Sequence, residues 1–136
     1  GGAELVARRS WHALDLVLGY TYLTKSSDYR GAAVDASFYA LNYARHRLTL
    51  AATVRLGAGF TLRMDNVLRE QADNLLRTTG GDSAVLSSVT LAWRPSSWRR
   101  IEFAVGADNL WNSTFQEVPS VPAARRQTFM GVSGTW

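Results

Sequence analysis

The sequence predicts an all-β fold, the antiparallel wall of a transmembrane β-barrel, and three observations carry that prediction. Apolar and polar residues alternate through segments of about 10 to 13 residues, roughly twice the length of strands in soluble sheets. The connections between the segments are alternately short and long. Charged side chains keep almost entirely to one parity, so each strand has an apolar and a polar face. No stretch approaches the ~20 apolar residues of a membrane-spanning helix, so any crossing of a bilayer must be made by strands.

The segments can be taken in chain order. Residues 2 to 9 form a short entry strand, closed by a tight turn at Ser10-Trp11-His12. The second strand, 13 to 24, puts Leu14, Leu16, Leu18, Tyr20 and Tyr22 on one face and Asp15, Val17, Gly19 and Thr21 on the other. A long loop over 25 to 42 leads to the third strand, 43 to 56. There Leu48, Leu50, Ala52, Val54 and Leu56 oppose Arg47, Thr49, Ala51, Thr53 and Arg55. Gly57-Ala58-Gly59 reads as a hairpin turn and not a phosphate loop, because no helical pattern follows it. The fourth strand, 60 to 70, sets Leu62, Met64 and Leu68 against Arg63, Asp65 and Arg69, with Asn66 as a polar exception on the apolar side.

After a loop over 71 to 82, the fifth strand spans 83 to 94 and turns at Pro95-Ser96-Ser97-Trp98. The sixth, 99 to 111, opposes Ile101, Phe103, Val105 and Ala107 to Glu102, Ala104, Gly106 and Asp108. A loop over 112 to 124 precedes the seventh, 125 to 136. It carries Met130, Val132, Gly134 and Trp136 on one face and Gln127, Phe129, Gly131, Ser133 and Thr135 on the other. Seven strands in sequence order make a meander.

An Arg or Lys facing lipid at mid-bilayer costs roughly 2 to 4 kcal/mol, so the apolar parity is expected to face outward and the charged parity inward. Outer-membrane barrels place short turns in the periplasm and long loops outside the cell. Trp11, Phe60, Trp93, Trp98 and Trp136 gather at the turn end, and Tyr20, Tyr22 and Trp111 near the loop end, as two aromatic girdles would. A soluble sandwich or lipocalin-like barrel would show the same alternation with the faces reversed. Strand length, loop order, the aromatic bands and the terminal Trp136 favour the membrane.

Composition excludes other classes. The 136 residues suit one domain, 1 to 136, but fall short of a large transport barrel. Without an initiator Met or a signal segment, residue 1 reads as an interior position of a longer exported chain. The absence of cysteine excludes thiolate metal sites and a disulfide scaffold. A net charge of +4 raises nucleic acid as a partner, but the basic residues are scattered singly through alternating segments, which argues against it. His12 lies in a turn and His46 at the opposite strand end, so the pair makes neither a metal site nor a triad. No enzyme and no cofactor is expected. Asn112-Ser113-Thr114 matches a glycosylation acceptor in form only.

Several segments resemble the TonB-dependent receptors of Gram-negative outer membranes. Ala107-Asp-Asn-Leu-Trp-Asn-Ser-Thr-Phe115 is similar to the penultimate strand of that family, with its Asn-Leu-aromatic step. A Pro-containing loop, Val118-Pro-Ser-Val-Pro-Ala-Ala-Arg-Arg126, follows. Arg126 through Trp136 resembles the family's ending, an Arg followed by about ten alternating residues and a terminal aromatic. Tyr43-Ala-Arg-His-Arg47, and Gly2-Ala-Glu-Leu-Val with Leu18-Gly-Tyr-Thr-Tyr22, resemble upstream strands. Trp136 stands where Phe is commoner, Gly134 where a bulky apolar residue is usual, and Ala124-Arg125 where Pro-Gly is frequent.

The resemblance implies the last seven strands of a 22-stranded barrel, without the N-terminal plug domain or the segment that contacts TonB. It implies energy-coupled uptake of a scarce ligand such as an iron-siderophore or a cobalamin, with these residues supplying barrel wall and extracellular loops. The partners implied are outer-membrane lipid, the plug, TonB through the plug, the barrel assembly machinery and an extracellular small molecule. Arg126 and Trp136 would carry the assembly signal. Loop residues Asp28, Tyr29, Arg30, Asp35, Phe38 and Tyr39 are candidate ligand contacts, since charges and aromatics on such a loop can enclose a polar ligand. Arg47, Arg55, Arg63, Asp65, Arg69 and Glu102 are candidates to line the lumen or meet the plug. Two alternatives stay open: a small complete outer-membrane barrel acting as enzyme or adhesin, and a soluble ligand-binding β-barrel. Seven strands argue against the former, because closed single-chain bacterial barrels have even numbers.

Overall fold

A computed structural model describes residues 1–24, 43–71, 81–116 and 124–135. They form one open antiparallel sheet of seven strands in the order β1-β2-β3-β4-β5-β6-β7. The strands are β1 (Gly2–Ser10), β2 (Leu14–Leu23), β3 (Ala44–Gly57), β4 (Phe60–Gln71), β5 (Ser83–Trp93), β6 (Ile101–Asp108) and β7 (Gln127–Gly134). Every strand pairs with its neighbour in sequence, so the chain is a simple meander. The three short connections all lie at one end of the sheet, and the long connections fall at the other.

The register keeps the two parities apart across the whole sheet. Leu18 pairs with Leu50, Leu48 with Leu68, Leu62 with Leu91 and Val105 with Met130. On the opposite face Arg47 pairs with Arg69, Thr53 with Arg63 and Glu102 with Ser133. A slip of one residue in β3 or β4 would carry arginines onto the apolar face, so the pattern itself holds the register there.

The turns have identifiable causes. Gly57, Ala58 and Gly59 all take positive φ, at 84°, 50° and 82°, which two glycines make inexpensive. Gly59 also lies against the Arg94 backbone, whose N–H donates to the Gly59 carbonyl at 2.9 Å. The Pro95 connection is a single turn of 3-10 helix, Ser96–Trp98, closed by Trp98 N–H to the Pro95 carbonyl at 3.1 Å.

Strand ends fall within two residues of the sequence expectation, with one exception. Strand β6 ends at Asp108, three residues short of the expected 111, because Asn109 enters the left-handed region at φ 47° and breaks the pleat. The chain nonetheless continues beside β5, with Leu110 N–H donating to the Ser87 carbonyl at 2.9 Å. Strand β3 carries a register shift between Ala44 and His46, where Arg45 is the extra residue of a bulge.

Among the described residues no second layer covers either face. The only buried apolar residues among those described are Ala92, Ala107 and Phe115, and no large side chain is fully buried. A single sheet with two uncovered faces cannot derive its stability from a conventional interior core.

Candidate functional surfaces

The apolar face is continuous. It runs from Leu5 and Ala7 through Leu16, Leu18, Leu50, Ala52, Leu62, Met64, Val89, Leu91, Phe103 and Val105 to Met130 and Val132, which the register brings side by side. Met130 is 87% exposed and Val132 68%. On this parity the described strands carry charge only near their ends, at Arg9 beside the first turn and Glu70 at the loop end. The Arg9 guanidinium lies 5.6 Å from the Trp11 ring, an arrangement that keeps its charge at the edge of the face.

Aromatic side chains border this face at both ends. Phe60 stacks on Trp93 with centroids 5.6 Å apart, Trp93 meets Phe103 at 5.7 Å, and Trp98 meets Phe103 at 6.5 Å. At the loop end Tyr20 and Tyr22 flank His46, and the Tyr20 hydroxyl is 2.8 Å from His46 Nδ1. His12 sits in the first turn at the other end, where its carbonyl accepts from Arg55 Nη1 at 3.2 Å. The two histidines are therefore apart, as their positions in the sequence require.

Asn66, the polar exception, lies directly opposite Ser87. Ser87 Oγ donates to Asn66 Oδ1 at 2.7 Å and accepts from Trp111 Nε1 at 2.7 Å. Three polar groups on an apolar surface thus satisfy one another.

The polar face is differentiated along the strands. Arg55 pairs with Asp15 near the turn end. Glu102 there receives Arg94 at 2.9 Å and reaches Arg63 at 3.7 Å. These side chains are 20% to 58% exposed, so each pair contributes at most about 1 kcal/mol. Asp65 shares the face, opposite Ala51 and Ser88. Toward the loop end Arg47 and Arg69 stand directly opposite each other, and the Arg69 guanidinium lies 4.6 Å from the Phe115 ring. All six expected lumen candidates, Arg47, Arg55, Arg63, Asp65, Arg69 and Glu102, are thus on one face. Asp15 and Arg94, their ion-pair partners, escape a reading of single strands, because pairing is a property of the register.

A corner built on Asn109 joins β6 to the returning chain. Its Nδ2 donates to the carbonyls of Ser113 at 3.0 Å and Ala124 at 2.9 Å, while its Oδ1 accepts from Ser113 N–H at 2.8 Å. Asn112, also left-handed at φ 53°, accepts from Arg126 N–H at 3.1 Å through Oδ1. The Asn-Leu-Trp step is therefore a structural corner: Asn109 tolerates the turn, and Trp111 reaches back over the apolar face.

The loop candidates Asp28, Tyr29, Arg30, Asp35, Phe38 and Tyr39 lie outside the described residues, as does Trp136. Among the described residues no group of three His, Asp or Glu is placed to hold a metal ion, and no helix is long and apolar enough to cross a membrane. No family model, curated protein or solved structure matches this chain.

Proposed function

We propose that this chain is barrel wall of an outer-membrane receptor of the TonB-dependent type, part of a 22-stranded barrel that takes up a scarce ligand such as an iron chelate or a cobalamin. The carrying observation is the uncovered apolar face, free of charge between its aromatic borders. A soluble monomer seldom exposes a contiguous apolar patch beyond a few hundred Å², and this one spans seven strands. Lipid is the medium that stabilises such a face, and the opposite, charged face suits a hydrated lumen. Alternate short and long connections agree with the same assignment. The role is transport and not catalysis, with the plug, TonB and the barrel assembly machinery as partners.

The chain has no cysteine, which makes labelling clean. Val89 and Thr90 are neighbours in β5 on opposite faces. In membranes of a Gram-negative host, Val89→Cys is expected to resist a water-soluble maleimide and to react with a lipid-soluble one, while Thr90→Cys shows the reverse preference. Recovery of the protein in the soluble fraction, or equal preferences at the two sites, would overturn the proposal.

A further inference from the structure

The geometry points to a site for one anionic glycerophospholipid at the turn end of the sheet, with an acyl chain along the apolar groove between β4 and β7 and the phosphate at Arg99 and Arg100. It rests on the membrane reading above, which turns this face toward lipid and this end toward the periplasmic leaflet.

The side chains form a graded track. A groove of about 550 Å³ on the apolar face is lined by Phe60, Leu91, Trp93, Phe103, Met130 and Val132. Trp93 also walls a second hollow, of about 480 Å³, together with Pro95, Ser96 and Trp98. Trp98 in turn walls a third, again of about 480 Å³, with Ser96, Ser97, Arg99 and Arg100. The three hollows share walls, and the ring contacts from Phe60 through Trp93 and Phe103 to Trp98 run along them. Trp98 is 59% exposed, and an indole suits the boundary between acyl chains and headgroups because its ring is apolar and its N–H is a donor.

Charge decides the occupant. Three other arginines at this end are engaged: Arg55 with Asp15, Arg94 with Glu102, and Arg9 over the Trp11 ring. Arg99 and Arg100 are exposed, and neither side chain makes a hydrogen bond, ion pair or ring contact. Among the described residues no acid lines any of the three hollows. Two guanidinium groups lining one hollow keep their charge at any physiological pH and offer a phosphate charge-assisted hydrogen bonds. The Ser96 and Ser97 hydroxyls beside them supply neutral donors for phosphate or glycerol oxygens. A net negative headgroup is favoured over a zwitterionic one, whose own cation would meet the second arginine. The Arg100 carbonyl accepts from Thr135 N–H at 3.0 Å, which ties the backbone beside the hollow to the returning chain.

The test uses the intact protein, purified in detergent containing equal amounts of dioleoylphosphatidylglycerol and dioleoylphosphatidylcholine, with the retained lipid extracted and quantified. Wild type is expected to retain the anionic lipid over the zwitterionic one by about tenfold or more. Arg99→Gln and Arg100→Gln should each lower that ratio by about fivefold, the scale of one cation beside an anionic headgroup, and the double variant should bring it near one. Arg55→Gln, which removes an arginine matched by Asp15 on the other face, should change it less than about twofold. Neither Arg99 nor Arg100 makes a side-chain contact that the fold needs, so the variants test the site itself. A wild-type ratio near one, or a preference that the double variant keeps, overturns the site. Excess glycerol 3-phosphate should leave the ratio unchanged, and displacement of the lipid by it would overturn the role of the groove. Flotation with vesicles of dioleoylphosphatidylcholine alone separates the two proposals. Protein that floats but shows no preference removes the lipid site only, whereas protein that stays dispersed without detergent and does not float removes the membrane reading.

Discussion

Ser87 donates its hydroxyl hydrogen to the Asn66 carboxamide oxygen across the β4–β5 pair, at 2.7 Å, in the middle of a face otherwise made of Leu, Val, Met and aromatic side chains. Asn66 Nδ2 turns the other way, toward the Leu50 carbonyl at 3.4 Å, and Trp111 Nε1 completes the group by donating to Ser87 Oγ. The pair is a polar tie between strands, made tolerable on this surface because its hydrogen-bonding capacity is largely used internally.

Asn66→Leu is expected to lower the unfolding free energy by about 1 to 2 kcal/mol despite its gain in hydrophobicity, because the 5% exposed Ser87 loses its acceptor. Adding Ser87→Ala should then cost less than the sum of the two single changes. Denaturant unfolding of the four members of this cycle measures the coupling, and strict additivity would refute the tie.

Gly59 and Gly57 share a turn and a positive φ but differ in surroundings. A Cβ at Gly59 would fall on the Arg94 carbonyl oxygen, whereas one at Gly57 would meet nothing within 4 Å. Gly57→Ala should therefore cost about 1 kcal/mol of backbone strain, and Gly59→Ala at least twice that, read from urea midpoints. Equal midpoints would show that the Arg94 approach does not constrain the hairpin.

Glu102 serves two arginines, so its loss leaves two like charges together. Glu102→Gln is expected to destabilise by about 1 kcal/mol, and the coupling to Arg94, at 2.9 Å, should exceed that to Arg63, at 3.7 Å. Raising the salt concentration to about 1 M, where the Debye length falls to about 3 Å, should shrink both couplings.

Asn109 combines a left-handed backbone with three side-chain hydrogen bonds, and it is 9% exposed. Asn109→Ala should cost about 2 to 3 kcal/mol and Asn109→Gly less, since glycine keeps the conformation and loses only the bonds. Asn109→Asp retains the acceptor for Ser113 N–H but sets a carboxylate against the Ser113 and Ala124 carbonyls. Limited proteolysis should detect loosening of the β6–β7 connection in the Ala and Asp variants ahead of the glycine one. Resistance equal to wild type in all three would show that the corner does not depend on this side chain.

Much of the fold was legible because a period of two is a local property. Leu14 to Tyr22 and Leu48 to Leu56 declare their faces without reference to any other strand, and the turns at Gly57-Ala58-Gly59 and Pro95 declare themselves by residue type. Seven strands and their meander order were expected and are present. The end of β6 was misplaced by three residues, because Asn109 leaves the pleat to make hydrogen bonds with partners up to fifteen positions away, and alternation continues past it.

The sequence by itself determined which residues are apolar or charged on each strand, since that parity follows from chain geometry alone. Only the tertiary structure decided which of them meet. Register turned Asn66 from an exception into half of a bonded pair, joined Arg63 and Arg94 through Glu102, and set Arg47 against Arg69. The physical reason is that hydrogen bonds and Coulomb forces act over a few ångströms between strands. Those distances depend on how neighbouring strands align, and no single strand carries that information.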